Sequence, residues 1–100
     1  SKEIVMKISD LKTGDAKVTV EGVVAEKGEV RDVNTKFGQT QVCETVMQDD
    51  SGVITLVLWG AQIKDVNEGD RVRVENGYVK EWNNSMQLNV GKFGTIKVLK

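Results

Sequence analysis

Apolar and polar residues alternate through much of this chain, the period-two signature of strands whose two faces meet different surroundings. The first run sets Val18 and Val20 against Lys17, Thr19 and Glu21. Gly22 interrupts it, and the strand continues through Val23 and Val24 before weakening near Gly28. A glycine at such a break often marks the corner where a barrel strand bends. Arg31 to Gly38 reads as a polar loop with Phe37-Gly38 near its tip, and a second strand spans Thr40 to Met47. Asp49-Asp50-Ser51-Gly52 is a turn, because Asp and Ser start turns and Gly accepts positive φ. Val53 to Trp59 is the clearest strand, with Ile54, Leu56 and Leu58 on one face and Val53, Thr55, Val57 and Trp59 on the other.

Two short helical segments complete the pattern. Ile8 to Gly14 reads as one turn, with Ser9 or Asp10 as its cap and Gly14 as its end. Ala61 to Val66 reads as a short helix with Ile63 and Val66 facing inward. After the Asn67-Glu68-Gly69-Asp70 turn, Val72 and Val74 alternate with Arg71, Arg73 and Glu75 in a fourth strand. A fifth starts at Met86, runs through Leu88 and Val90, and resumes after Gly91-Lys92-Phe93-Gly94 as Thr95 to Leu99. Parallel βαβ units would need a longer helix after most strands. Five strands with one helix between the third and fourth predict an all-β, five-stranded Greek-key barrel, the OB-fold. An SH3-like barrel is the structural alternative, and the helix position suits it less well.

The length of 100 residues is that of one domain, and residues 1–100 contain no interdomain linker, proline or repeat. Ser1-Lys2-Glu3 reads as a trimmed start and Lys100 follows directly on a strand, as in an excised domain. The single cysteine, Cys43, excludes an internal disulfide; with no histidine, a zinc site is excluded as well. Without histidine the usual general base is missing, and there is no Gly-rich phosphate loop or convergent carboxylate set. No enzymatic role and no cofactor are expected. The paired carboxylates Asp49 and Asp50 read as turn chemistry rather than a metal site. No apolar run has the length of a membrane span.

Aromatic residues are only 5% of the chain, so each asks for an explanation. Trp59 lies opposite in parity to Leu56 and Leu58; if those face the core, Trp59 faces out. An exposed Trp at a strand end is costly unless it contacts something. Counting by two from Val72 and Val74 puts Asn76 and Lys80 in the core, which is implausible for unpaired polar groups. A bulge at Asn76-Gly77 reverses the parity. Val79 then points inward, and Tyr78, Lys80 and Trp82 point outward together. Outward residues spaced by two lie about 7 Å apart along a strand, a spacing that suits successive bases of an extended nucleic acid. Lys80 between the two aromatics would meet a phosphate or add a cation–π contact. The competing reading makes Trp59, Tyr78 and Trp82 barrel-end core.

Net charge is −1, from 14 basic and 15 acidic residues, which argues against a binder driven by positive charge alone. It leaves room for one that relies on stacking with a few placed cations. Arg31 and Lys36 occupy the loop that flanks the binding face of OB-folds, whereas Lys64, Arg71 and Arg73 lie around the helix and fourth strand. Phe37 is either a loop-tip stacking residue or a plug over the barrel end.

The stretch Asp50-Ser51-Gly52-Val53-Ile54-Thr55-Leu56-Val57-Leu58-Trp59-Gly60 resembles the archaeal-type single-OB single-stranded DNA-binding proteins and their eukaryotic relatives. So does Glu68-Gly69-Asp70-Arg71-Val72-Arg73-Val74-Glu75-Asn76-Gly77-Tyr78, and both are similar to the OB domains of replication protein A. The resemblance runs from about Ile8 to Leu99 and includes Thr35-Lys36 and Gln87-Leu88-Asn89 with Gly91. It implies base stacking on Trp59, Tyr78 and Trp82 and a strand contact by Arg31. Relatives often carry a Lys-Gly turn after the last aromatic, whereas Asn83-Asn84 follows Trp82 here; Asn accepts the left-handed turn, and a phosphate-facing charge is lost. The Gly-rich acidic tail through which such proteins recruit partner proteins is not in this sequence. The implied function is binding of single-stranded DNA with little sequence preference in replication and repair, near the nucleoid of a prokaryotic cytoplasm or in a eukaryotic nucleus. The alternatives are an RNA- or tRNA-binding domain and a protein–protein module of a replication-protein-A-like assembly.

Overall fold

The computed structural model describes residues 4–100; the trimmed-looking start at residues 1–3 lies outside the described residues. A 3₁₀ turn, Ile8–Asp10, precedes the strands β1 (Ala16–Thr35), β2 (Gly38–Asp49) and β3 (Gly52–Trp59). A one-turn helix α1 (Gln62–Asp65) leads to β4 (Arg71–Trp82) and β5 (Ser85–Leu99). The strands close in the order β1-β2-β3-β5-β4, and β1 completes the ring by pairing antiparallel with both β2 and β4. β3 and β5 pair in parallel. This is the five-stranded OB barrel expected from the strand pattern, with the helix between β3 and β4.

Closure depends on β1 changing partner in mid-strand. At Val23 it pairs with Gln48 on one side and Arg71 on the other. Gly22 sits at that crossing, where a Cβ would lie 2.5 Å from the Gln48 carbonyl oxygen. Only a residue without a Cβ lets the two backbones come this close. The barrel is filled by the inward faces of the strands: Val20, Val24, Met47, Leu56, Leu58, Val72, Val74 and Leu88 are completely buried. Burying each such side chain is worth about 1.5–3 kcal/mol, so this interior dominates folding. Ile63 and Val66 close the end beneath α1, and Lys27 Nζ donates to the Ile63 and Val66 carbonyls, holding the helix end to β1.

Residues 31–38, expected as a loop, are instead a paired hairpin. Arg31↔Val42, Val33↔Thr40 and Thr35↔Gly38 continue the β1–β2 ladder, leaving Lys36 and Phe37 as the turn. Beyond the barrel both faces of this ribbon meet water, so it has no apolar alternation to reveal it. The 3₁₀ turn also differs from expectation: neither Ser9 nor Asp10 caps it. Its partners come from the β2–β3 turn. Ile8 N–H donates to Asp49 Oδ2 at 2.9 Å and Ser9 N–H to Ser51 Oγ at 3.0 Å. Asp49 Oδ1 also accepts from Ser51 N, Ser51 Oγ and Gly52 N. Partial burial pushes this carboxyl up, but the bonds from Ser51, Ile8 and Gly52 outweigh it and hold the pKa below the usual value.

The bulge in β4 is present. The register with β5 shifts between Glu75 and Gly77, and Asn76 adopts φ 57°. The left-handed residue is therefore Asn76, a residue type that tolerates it. Gly77 answers a different need. A Cβ there would lie 2.9 Å from Val74 Cγ1 and 3.2 Å from both the Asn89 carbonyl oxygen and Leu88 Cδ1.

Two outcomes follow. Gly77→Ala is expected to cost about 1–3 kcal/mol through overpacking, measured by urea denaturation, whereas Asn76→Gly leaves the midpoint nearly unchanged. Asp49 has a folded pKa below its unfolded value of about 3.9, so its contribution is complete above that value and fades as pH falls through the folded pKa. Asp49→Asn should therefore be less stable than the parent at pH 7, and the gap should narrow on acidification in a pH series of thermal melts.

Candidate nucleic-acid interface

Past the bulge, β4 presents a reversed pattern. Val79 is buried, while Tyr78, Lys80 and Trp82 are exposed on the outer face. The turn that follows Trp82 is made by Asn83 and Asn84, both left-handed at φ 50° and 64°. Two left-handed residues fit a tight hairpin whose twist matches its strands. Trp59 ends β3 on the same outer side and is half-buried. None of the three aromatics is among the buried core residues.

Trp59, Trp82 and Lys80 line one groove of about 260 Å³ together with Arg31. Val33, Val42 and Val57 give it apolar walls, and Glu44, Gln87 and Asn89 its polar lining. Strand register explains the grouping: Tyr78, Asn89, Val57 and Glu44 lie side by side across β4, β5, β3 and β2. Lys80, Gln87 and Thr55 form the next row. Tyr78 is 39% exposed, and its ring rests over Gly91, where a Cβ would come within 3.2 Å of Tyr78 Cδ1. Arg31 reaches the groove from the β1–β2 ribbon.

Lys36 and Phe37 are not brought into the groove. They form the tip of the ribbon, with Lys36 Nζ 5.2 Å from the centre of the Phe37 ring. Phe37 is 88% exposed, so it does not plug the barrel. The far-side basic residues are engaged elsewhere: Arg71 and Arg73 pair with Glu21, and Arg73 also with Glu75. The Arg73 hydrogen bonds come first in holding both carboxyl pKa values low.

The polar lining was not anticipated. Glu44 Oε2 lies 3.7 Å from Arg31 Nη2 and accepts from Gln87 Nε2 at 3.3 Å. Asn89 Oδ1 accepts from Trp59 Nε1 at 3.3 Å. The signal for these residues was parity: Glu44 alternates with Cys43 and Thr45, and Gln87 and Asn89 flank the inward Leu88. Gln87 and Asn89 are buried on the outward parity because a groove forms over them, while Glu44 stays exposed, and in a one-dimensional pattern all three look like ordinary surface. Among the described residues no group of three or more His, Cys, Asp or Glu gathers to hold a metal, and no helix is long and apolar enough to cross a membrane.

This groove, on the outer face of an OB barrel and lined by two tryptophans and two cations with Tyr78 on the same face beside it, resembles the binding faces of nucleic-acid-binding OB-folds. The family model for single-stranded DNA binding protein Ssb-like, OB fold, matches residues 7–98, and the chain belongs to that family. It is 33% identical over 85 residues to the single-stranded DNA binding protein Ssb of Saccharolobus solfataricus, covering 85% of this chain and 57% of that protein. The chain thus spans little more than half the length of this curated relative. The OB domain of Ta0387 from Thermoplasma acidophilum superposes with a TM-score of 0.83 at 23% identity, covering 95% of this chain and 86% of that one. The second OB-fold domain of replication protein A from Methanococcus maripaludis gives 0.80 at 25% identity, covering 97% and 96%.

The two tryptophans differ in environment, since Trp82 is 58% exposed and Trp59 is half-buried with its indole N–H bonded. Trp82→Phe, which retains Trp59, should emit at shorter wavelength and give a smaller acrylamide quenching constant than Trp59→Phe. Equal constants would contradict the arrangement.

Proposed function

We propose that this chain binds single-stranded DNA in the groove between β1, β3, β4 and β5, with bases stacked on Trp59, Tyr78 and Trp82. The observation that carries this reading is the placement of three aromatic side chains on the outer face, two of them lining a groove that also holds Arg31 and Lys80. Each stacked base contributes roughly 1–3 kcal/mol, so three platforms supply much of a micromolar or tighter affinity. Arg31 and Lys80 meet phosphates or add cation–π contacts. Lys36 and Phe37, at the ribbon tip, reach a strand that runs along the ribbon past the groove. Every base has a π-face, so stacking tolerates sequence and suits the handling of exposed strands in replication and repair.

The Saccharolobus relative, a single-stranded DNA binding protein, supports this reading. No catalytic step is assigned to the chain, whose groove holds neither histidine nor thiol. Such a protein works where single strands arise, at the nucleoid of a prokaryote or in the nucleus of a eukaryote.

A fluorescence titration with poly-dT at two salt concentrations tests the proposal. Tryptophan emission should be quenched, and the Trp59→Ala/Trp82→Ala double variant should lose at least tenfold in affinity, tracked by tyrosine emission or anisotropy of labelled DNA. Log affinity should fall with log salt by roughly 0.7 per phosphate, with about two to four phosphates engaged. Competition with a matched RNA should favour DNA. An RNA preference would reassign the substrate, and absence of binding to either would leave a protein–protein module.

A further inference from the structure

The chain has two phenylalanines, and both stand in the same tripeptide, Lys-Phe-Gly, at residues 36–38 and 92–94. The barrel interior holds neither. The first forms the ribbon tip. The second lies in β5 where its ladder with β4 breaks: Val90 pairs with Gly77 and Thr95 with Glu75, so residues 91–94 stand opposite Asn76 alone. This loop is folded down on the β4 bulge. Asn76 Nδ2 donates to the Phe93 carbonyl oxygen at 3.4 Å, and a Cβ at Gly94 would lie 3.0 Å from the carbonyl oxygens of Glu75 and Asn76. Phe93 itself is 81% exposed, with Lys92 Nζ 5.7 Å from the ring centre, as Lys36 lies over Phe37. A single exposed apolar side chain is ordinary. Two exposed Lys-Phe pairs of like geometry, in a chain with no other phenylalanine, are not.

The place of the second pair points to its ligand. Its loop begins at Gly91, on which the Tyr78 ring rests. Across the outer face the register runs through Glu44, Val57, Asn89 and Tyr78 to Ala16, which pairs with Tyr78 on the other side of β4. Lys17 follows Ala16, and with Phe93 it lines a hollow of about 310 Å³. Neither Lys17 nor Lys92 has an ion-pair partner among the described residues. The one carboxylate of the hollow, Glu75, is already held by Arg73 and Lys97. An aromatic ring and two uncommitted cations thus adjoin Tyr78 on the side away from the ribbon. We infer that Phe93 is an outlying platform for a single strand that leaves the groove past Tyr78: a base stacks on the open face of its ring, and Lys92 and Lys17 meet the flanking phosphates. This rests on the binding proposed above and lengthens its footprint. From Glu44 to Tyr78 a strand crosses roughly 14 Å, three spacings of the sheet. A short oligonucleotide is satisfied there, and only a longer one reaches Phe93.

The test compares oligo-dT of about five and about twelve nucleotides, both within the range one OB domain occupies. The Lys92→Ala/Phe93→Ala variant should lose about fivefold or more in affinity for the longer oligonucleotide, the loss of one stacked base, and keep the parent's affinity for the shorter. Its thermal midpoint should match the parent's, because both side chains are exposed. In the parent, the backbone amide resonances of residues 92–94 should move on adding the longer oligonucleotide and not the shorter, a readout that needs no variant. Unmoved resonances, or an unchanged affinity of the variant for the longer oligonucleotide, with tryptophan quenched, would overturn the outlying platform alone. So would equal losses at both lengths, since the loop would then act by supporting Tyr78. Failure of either oligonucleotide to bind or quench at all would overturn the proposed function itself.

Discussion

The outer face of β4 depends on a single left-handed residue. Asn76 takes φ 57°, and one residue of extra chain turns Tyr78, Lys80 and Trp82 outward while Val79 goes into the core. A strand repeats every two residues, so slipping by one exchanges its two faces completely. Without the bulge, two aromatics would lie inside a barrel already filled by aliphatic side chains, and Val79 would lie in water. The core and the groove are thus solutions to the same constraint. The packing demands of Val74, Leu88 and the Asn89 carbonyl at Gly77 fix where the slip can occur.

The groove is held from beneath by side chains that touch one another. Glu44 bridges Arg31 and Gln87, and Asn89 anchors the indole of Trp59. Stacking platforms gain from such support, because an aromatic ring already oriented loses less freedom when a base arrives. Trp82 has no such anchor; it stands beside the Asn83-Asn84 hairpin and is 58% exposed. The proposed binding face therefore has one fixed ring, Trp59, and one adaptable ring, Trp82.

The barrel was legible because most of its strands have one wet face and one dry face. Ile54, Leu56 and Leu58 against Thr55 and Trp59 announce β3, and the single α1 between β3 and β4 identifies the topology. The bulge was also legible, through the implausibility of burying Asn76 and Lys80. The ribbon over residues 31–38 was not, since strands solvated on both faces carry no period. Nor were Glu44, Gln87 and Asn89. Their role comes from three strands distant in sequence meeting side by side, and only the register reveals which polar residues share a groove.

The ion pair between Arg31 and Glu44 has a consequence for discrimination among anionic polymers. A groove lined by free cations attracts any chain of phosphates, duplex or single-stranded. Here one of the two groove cations already has a carboxylate beside it, and the protein as a whole carries a net charge of −1. If strands bind in this groove as proposed, a polymer that offers charge alone, with its bases hidden in a double helix, finds little to hold. Under the proposed binding, the protein's modest electrostatics act as a filter that leaves the exposed faces of bases as the feature worth recognising.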